Sequence, residues 1–294
     1  MTILLGLSGA LAYGFADFLG GLASRSIRPI VATAWAALIG LVPLGIGLLV
    51  LGGRFTANAF LWGTIAGLSG SLGVLMLYTA LAVGPMSVLS PVTSVVSVVV
   101  PVSIGLVFAG SRLSGLGVAA VVVAIAAVGL VGAVKDRSGS RLTGRGLLTA
   151  GVAGCGFGGL VLAYAATSPE DGLAPLVVAR IVQAAVMWLG VAVVVLRDRG
   201  RQGAARSRST TGRGALGAQL ALCGTLDASA NVLIQAALHS GVPADVLPVV
   251  SVLNALYPIG TVILAAIVLR ERLTRLQITG LALALAASAV LASA

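Results

Sequence analysis

Long apolar runs with almost no charge constrain this chain more than any other feature. Ten segments of about 20 residues are each long enough to cross the hydrocarbon core of a bilayer as an α-helix. Lipid offers the backbone no hydrogen-bond partner, so only helices and closed barrels span membranes, and a barrel would show shorter runs of alternating polarity. We therefore expect an all-α integral membrane protein. The segments are 3–24, 30–51, 57–81, 86–109, 113–134, 145–167, 173–196, 214–238, 243–269 and 273–293.

The composition and the placement of charge agree with this expectation. The 294 residues are 59% hydrophobic and 9% charged, whereas soluble domains carry about 25% charged residues. The net charge of +10 would suit a nucleic-acid partner, but 15 of the 18 Lys and Arg residues lie in the odd-numbered connections or within the first three residues of the segment that follows. Basic residues there set membrane topology. The bias predicts a multi-pass protein of the inner (cytoplasmic) membrane, no nucleic-acid partner, and cytoplasmic loops at 135–144 and 197–213.

Two proline-containing stretches, 157 residues apart, resemble each other. ALAVGPMSVLSPVTSVVSVVVP, Ala80–Pro101, aligns with ALHSGVPADVLPVVSVLNALYP, Ala237–Pro258, and both carry a proline inside the segment, Pro91 and Pro248. A proline inside a helix removes a backbone hydrogen bond and can kink it. We expect the fourth and ninth segments to form a bent, symmetry-related pair that flanks a cavity.

The repeat divides the chain into two halves. Residues 1–134 and 145–294 each hold five segments, joined by residues 135–144. Because five is odd, the two halves would lie in the membrane upside down relative to each other. Inverted repeats of this kind are typical of secondary transporters, whose substrate site lies near the midplane between the halves. The predicted fold is therefore ten transmembrane helices, arranged as two inverted five-helix repeats around a central cavity.

Both repeated stretches resemble the EamA module of the drug/metabolite transporter superfamily. The resemblance rests on the Ala-Leu pair before the fourth segment of each half, the proline inside that segment, and the ending Glu271-Arg272-Leu273. It covers nearly the whole chain, and it implies ten helices and transport of a small solute, often export of amino acids or related metabolites. The first half departs from the family pattern, since Ser111 stands where an acid is expected. The small multidrug relatives use a glutamate in the first helix for proton-coupled cation export, and Asp17 is its nearest substitute here.

Polar residues inside the apolar segments are the candidate substrate contacts. Ionisable groups at membrane depth are costly and usually face the bundle interior or a water-filled cavity. An interior Arg180 would need an acidic partner, Asp17 or Asp227. We expect Arg180 to meet a substrate carboxylate or other anionic group, and Asp227 to meet an ammonium or carry a coupling proton. Packing contacts between helices and a shallow, snorkelling arginine are the alternatives. The predicted substrate contacts are Arg180, Asp227, Asn231, Asp17, Asn254, Gln183, Tyr13, Tyr78 and Tyr257.

The motifs of other function classes are missing. There is no Walker A sequence, no H-E-x-x-H, no G-x-S-x-G, and one histidine in all, so we expect neither an enzyme nor a cofactor or metal site. GCGFGG at 154–159 matches a dinucleotide fingerprint only formally, because that fingerprint follows a strand; within a span it indicates close helix packing.

The function that best fits is export of a small polar metabolite by a secondary transporter that works by alternating access, with protons as a candidate coupling ion. Proton-coupled efflux of lipophilic cations and a non-transporting membrane protein remain open, as do a monomer and a homodimer.

Overall fold

The structure, a computed structural model, describes residues 1–108, 143–199 and 212–238, single positions between 115 and 126, and residues 240, 250 and 253–290 with gaps. Apart from one isolated antiparallel bridge, between Gly53 and Gly172, the regular structure within these residues is helical. This confirms an all-α chain as far as the described residues extend. Its α-helices are α1 Thr2–Ser26, α2 Pro29–Leu51, α3 Ala57–Val83, α4 Met86–Phe108, α5 Gly144–Ala165, α6 Ala174–Arg199, α7 Arg213–Leu238 and α8 Pro258–Val268, with a 3-10 turn at Pro169–Asp171.

Six of these helices, α1, α2, α3, α5, α6 and α7, have the length and apolar composition needed to cross a membrane. Most of the predicted segment 113–134, the start of segment 243–269 and much of segment 273–293 lie outside the described residues. Most of the predicted cytoplasmic loops, 135–144 and 197–213, also lie outside them. The arrangement of ten helices as inverted repeats therefore stays a prediction.

The helix ends follow local sequence signals and lie close to the predicted bounds. α2 starts with Pro29, whose missing N–H is tolerated in the first turn. α3 and α5 start after threonines, Thr56 and Thr143, whose hydroxyls accept hydrogen bonds from backbone N–H groups three residues later. α2 ends at Gly52, where φ is 78°, a backbone conformation that glycine adopts at no steric cost.

The predicted ninth segment is not one continuous helix. Residues Leu253 and Asn254 are helical, Leu256 and Tyr257 form a turn, and α8 begins only at Pro258. The proline ring cannot donate a hydrogen bond and would clash with the carbonyl four residues earlier. The Asn254 carbonyl is instead taken by the N–H of Tyr257 at 3.1 Å. By contrast, α4 stays helical through both of its prolines, and Pro248 lies outside the described residues.

The helices of the two halves interleave. α1 packs on α7 and α8, α2 on α6 and α7, α3 on α5 and α6, and α4 on α5. In the order of the two halves, α5, α6, α7 and α8 are the counterparts of α1, α2, α3 and α4. The contact α1–α7 therefore corresponds to α5–α3, α2–α7 corresponds to α6–α3, and α4–α5 corresponds to α8–α1. All of these contacts are present, as a two-fold repeat would require. Glycines allow the closest approach: a side chain on Gly156 of α5 would meet the backbone nitrogen of Gly73 at 2.5 Å, so GCGFGG is a packing surface here.

One end of the bundle is tied together by Asp171, in the connection between α5 and α6. The Asp171 carboxylate accepts hydrogen bonds from the Thr56 hydroxyl at 2.7 Å, the Ser168 N–H at 3.1 Å and the Asn58 amide at 3.3 Å. Burial acts to raise the pKa of Asp171, but these hydrogen bonds outweigh it and the pKa lies below its ordinary value. We call this the Asp171 end.

The opposite end, where α1 and α3 finish and α4 begins, is called the Glu271 end after the residue that caps α4 there. A cluster of buried side chains, most of them apolar, fills the part of the bundle next to this end. We call this set of residues the packed half. They come from the final turns of α1, α3 and α8 and the first turns of α2, α4, α5 and α7, which places them towards the Glu271 end. The packed half comprises Phe18, Ala23, Ala32, Ala36, Val74, Leu77, Tyr78, Ala80, Leu81, Met86, Leu89, Val92, Ala150, Ala153, Leu220, Cys223 and Ala265.

Candidate functional site

A polar cavity lies between the packed half and the Asp171 end. The space between its walls is about 690 Å³, counting the part that opens to the outside. α5 contributes residues from its last third and α6 from its first ten residues, so the cavity reaches towards the Asp171 end. Its polar and aromatic lining is Tyr13, Asp17, Ser97, Phe157, Tyr164, Arg180, Gln183, Asp227, Asn231, Asn254 and Tyr257.

An ion pair between α6 and α7 forms one wall of the cavity. The Arg180 guanidinium bonds to the carboxylate of Asp227 and donates a second hydrogen bond to Gln183 Oε1 at 2.8 Å. The two charged side chains are only 7% and 13% exposed. Gly40 of α2 leaves room for the guanidinium, since a side chain there would come 3.3 Å from Arg180 Nε. Burying an arginine is costly unless it is paired and hydrogen-bonded, and both conditions are met here.

The polar stripe on α7 is only partly directed at the cavity. Asn231 donates a hydrogen bond to the backbone carbonyl of Asp227, at 2.8 Å, and both residues line the cavity. Gln235, one turn further along, is buried but does not belong to the lining. The spacing of four correctly placed the first two residues on one face, and the third lies beyond the edge of the cavity.

Asp17 of α1 is the carboxylate in the cavity that lacks a cation. Its side chain is 6% exposed, and no hydrogen bond or ion pair reaches it from the described part of the chain. The sequence has no other Lys or Arg near mid-span besides Arg180, and Arg180 is paired with Asp227. With Arg180, Asp227 and Asp17 all ionised, the cavity carries a net charge of −1.

Asn254 brings an unused acceptor to the cavity. Its Oδ1 is buried and has no hydrogen-bond partner among the described residues. Buried acceptors normally find a donor, so an unpaired one in a cavity wall marks a place where a bound molecule can donate. The break before Pro258 brings Asn254 and Tyr257 to the same cavity.

Tyr78 is the predicted contact that the structure does not bring to the cavity. Val74, one turn earlier on α3, is a lining residue, whereas Tyr78 is 2% exposed within the packed half. Its hydroxyl lies 3.0 Å from the Cys223 sulfur. Tyr78 therefore belongs to the layer beneath the cavity, because one further helical turn carries it towards the Glu271 end. The other eight predicted contacts all line the cavity, and their role in binding stays a prediction.

Sequence reasoning missed the contribution of α5. Phe157, Leu160, Val161 and Tyr164 line the cavity from this helix, at spacings of three, four and seven residues that mark one helix face. This spacing can be recognised in the sequence, but the glycines of the same stretch were interpreted only as a helix-packing surface. With Tyr13 and Tyr257, this face gives the cavity four aromatic rings. No group of three metal-ligating side chains occurs among the described residues.

Comparisons with known proteins relate the chain to a family and to a solved structure. The sequence profile of the EamA-like transporter family matches residues 144–293, which is half of the chain. One solved crystal structure superposes with a TM-score of 0.64, covering 98% of this chain and 95% of its own, at 17% sequence identity. At that identity the match shows a shared fold. No curated protein matches the sequence.

Proposed function

This chain belongs to the EamA-like transporter family, and from that premise we propose that it is a secondary transporter that exports a small polar metabolite across the cytoplasmic membrane. The observation that carries the proposal is the cavity itself. Costly ionisable groups on three different helices, Asp17, Arg180 and Asp227, line one enclosed space in a bundle of apolar helices.

The chemistry of the lining favours a solute with both charges, such as an amino acid. Asp17 offers an unpaired carboxylate to an ammonium group. A guanidinium has five N–H donors, and the described contacts of Arg180 use two of them, which leaves donors for a substrate carboxylate. Asn254 Oδ1 would accept a hydrogen bond from the solute.

Alternating access fits the distribution of packing. The cavity extends towards the Asp171 end, while the packed half separates it from the Glu271 end. Among the described basic residues of the odd-numbered connections, Arg25 and Arg28 lie on the side of the Glu271 end. With this placement, the positive-inside bias assigns that end to the cytoplasm. In this orientation the cavity faces outward, and loading from the cytoplasm requires the packed half to open.

A second candidate is proton-coupled efflux of lipophilic cations, and the unpaired Asp17 is the observation that favours it. A single unpaired acid with four aromatic rings suits a cation, since aromatic faces attract cations by about 0.5–2 kcal/mol. A proton and a cationic solute would then compete for the same carboxylate. Under this alternative Arg180 stays bound to Asp227 and never touches the solute.

A flux assay in proteoliposomes separates the two candidates. The panel pairs amino acids with the amines that share their side chains but lack the carboxylate, with and without an imposed pH gradient. The proposal predicts flux of at least one amino acid and its loss in Arg180→Ala. Flux of amines alone, retained in Arg180→Ala and lost in Asp17→Asn, would favour cation efflux, and a wild-type protein that moves no solute would contradict both.

A further inference from the structure

Glu271 holds three elements together at the Glu271 end, away from the cavity. Its side chain is 7% exposed. The carboxylate accepts hydrogen bonds from the Ser87 hydroxyl at 2.7 Å, the Ser87 N–H at 3.0 Å and the Met86 N–H at 3.3 Å. Its other neighbour is the Arg25 guanidinium at 3.5 Å. We call Glu271, Arg25, Ser87 and the Met86 N–H the Glu271 clamp.

The Glu271 carboxylate accepts hydrogen bonds from backbone N–H groups at the start of α4. The first N–H groups of α4 lack intrahelical acceptors, and the start of a helix favours a negative charge. Arg25, in the last turn of α1, also donates to the carbonyls of Leu81 at 3.3 Å and Gly84 at 3.1 Å. The ends of α1 and α3, the start of α4 and the chain after α8 are thereby joined through charge-assisted hydrogen bonds, which are stronger than neutral ones.

The backbone before Glu271 is held in an unusual conformation to reach this position. Arg270 has a φ of 55°, in the left-handed region that non-glycine residues rarely adopt. The N–H of Glu271 then bonds to the carbonyl of Ala265 at 3.2 Å, which turns the chain back under α8. A left-handed residue just past the last turn is a common way for a helix to end, and here it brings Glu271 beside the start of α4.

The layer behind the clamp is the packed half that closes the cavity on this side. Met86, whose N–H belongs to the clamp, is itself fully buried there, with Leu89 one turn later. Tyr78 and Cys223 lie deeper in the same cluster, hydrogen-bonded to each other beneath the cavity. A path from the cavity to the Glu271 end would separate these elements, and the clamp holds α4 against α1 across that path.

We propose that the Glu271 clamp is the gate of the Glu271 end: it keeps the cavity closed there, and it releases when the transporter opens on that side. The inference rests on the proposed alternating-access function. It identifies Glu271 as a residue that acts on the conformational step and does not touch the solute.

Cys223 supplies a native reporter for the test. The chain has two cysteines, Cys223 buried and Cys155 exposed, so Cys155→Ser leaves one thiol in the packed half. The experiment measures the rate at which N-ethylmaleimide labels Cys223 in the reconstituted protein, with Glu271→Gln introduced. The matched control is Glu170→Gln, which makes the same change in the exposed pair with Arg54 at the Asp171 end.

We expect Glu271→Gln to label about tenfold faster than the parent, the effect of losing roughly one charge-assisted hydrogen bond, and Glu170→Gln to stay within about twofold. Unchanged labelling in folded Glu271→Gln, or equal acceleration in both variants, overturns the gate. If Glu271→Gln does not fold, Ser87→Ala takes its place and should label about threefold faster; an unchanged rate there overturns the gate in the same way.

The labelling requires no transported solute. Accelerated labelling in a protein that moves no solute would contradict the proposed function and leave the clamp's release intact. Unchanged labelling in a protein with full wild-type flux would contradict the gate and leave the proposed function intact.

Discussion

At the scale of single residues, the ion pair of Arg180 and Asp227 combines two roles that mutation can separate. Replacing a buried ion pair by apolar residues of similar size is often neutral, whereas removing one partner costs about 3–5 kcal/mol because a buried charge is left alone. Both side chains are almost wholly buried. Stability should therefore fall when only one of the two charged side chains is removed, whereas transport should require both charges.

We predict that Asp227→Leu alone lowers the thermal stability of the purified protein strongly, and that adding Arg180→Leu restores most of it. The double variant should nevertheless be inactive in proteoliposome flux, because the charges that meet the solute are gone. Thermal unfolding in detergent and flux on the same preparations measure the two effects. A double variant that transports like the wild type would mean that the pair is only structural.

The polar residues at membrane depth could be predicted from the sequence because they stand out against an apolar background. Eight of the nine predicted contacts line the cavity. Tyr78 could not be assigned, since a tyrosine in a span is amphipathic and lies equally well in a cavity or in a core with one hydrogen bond. Tyr164 was missed for another reason: its spacing with Phe157 and Leu160 marks one face of α5, but the glycines of the same stretch were interpreted only as a packing surface.

At the scale of elements, the Asp171 network joins the α2–α3 and α5–α6 connections. Because the pKa of Asp171 is lowered in the folded protein, its ionised form stabilises the fold. That contribution is fully present above the pKa of an unfolded aspartate, and it is lost as the pH falls through the lower, folded-state pKa.

Asp171→Asn should lower stability at neutral pH by about 1–3 kcal/mol, since it removes a charged acceptor from three hydrogen bonds. The difference from the wild type should shrink as the pH falls below the ordinary aspartate pKa of about 4 and on through the lower pKa of folded Asp171. Thermal unfolding across this pH range measures both. The control is Glu170→Gln, at the neighbouring exposed position, and a pH-independent difference between Asp171→Asn and the wild type would contradict the assignment.

The proline pattern shows where element-level prediction succeeds and where it stops. The prolines inside the fourth and ninth segments, Pro91 and Pro248, were predicted to bend them. In the structure α4 continues past its prolines, and the ninth segment forms a turn before α8. A proline in the sequence shows only that one backbone hydrogen bond of the helix is missing. Whether the helix continues or turns depends on the group that takes up the freed carbonyl; before Pro258 it is the N–H of Tyr257, which bonds to the Asn254 carbonyl at 3.1 Å.

At the scale of the whole molecule, helices from one half of the chain pack between helices from the other half. α1 and α3 run towards the Glu271 end, whereas α5, the counterpart of α1, ends beside Asn58 at the Asp171 end. Opposite directions for equivalent helices are what an inverted repeat requires. The odd number of segments per half predicts such an inversion, and the full arrangement of ten helices stays a prediction. The depth of the cavity and the side it faces depend on packing that no single segment reveals.

The cavity as transport path is the central claim, and blocking it chemically tests it most directly. Ser97 lines the cavity from α4, whereas the exposed Cys155 of α5 lies outside the lining. A protein with both native cysteines replaced by serine and carrying Ser97→Cys, and a control that keeps Cys155 alone, would be treated with a maleimide, and the flux of a transported solute measured. We predict that modification of residue 97 abolishes flux, that the solute slows the modification, and that the control keeps its activity. Wild-type flux after complete modification of residue 97 would contradict the claim.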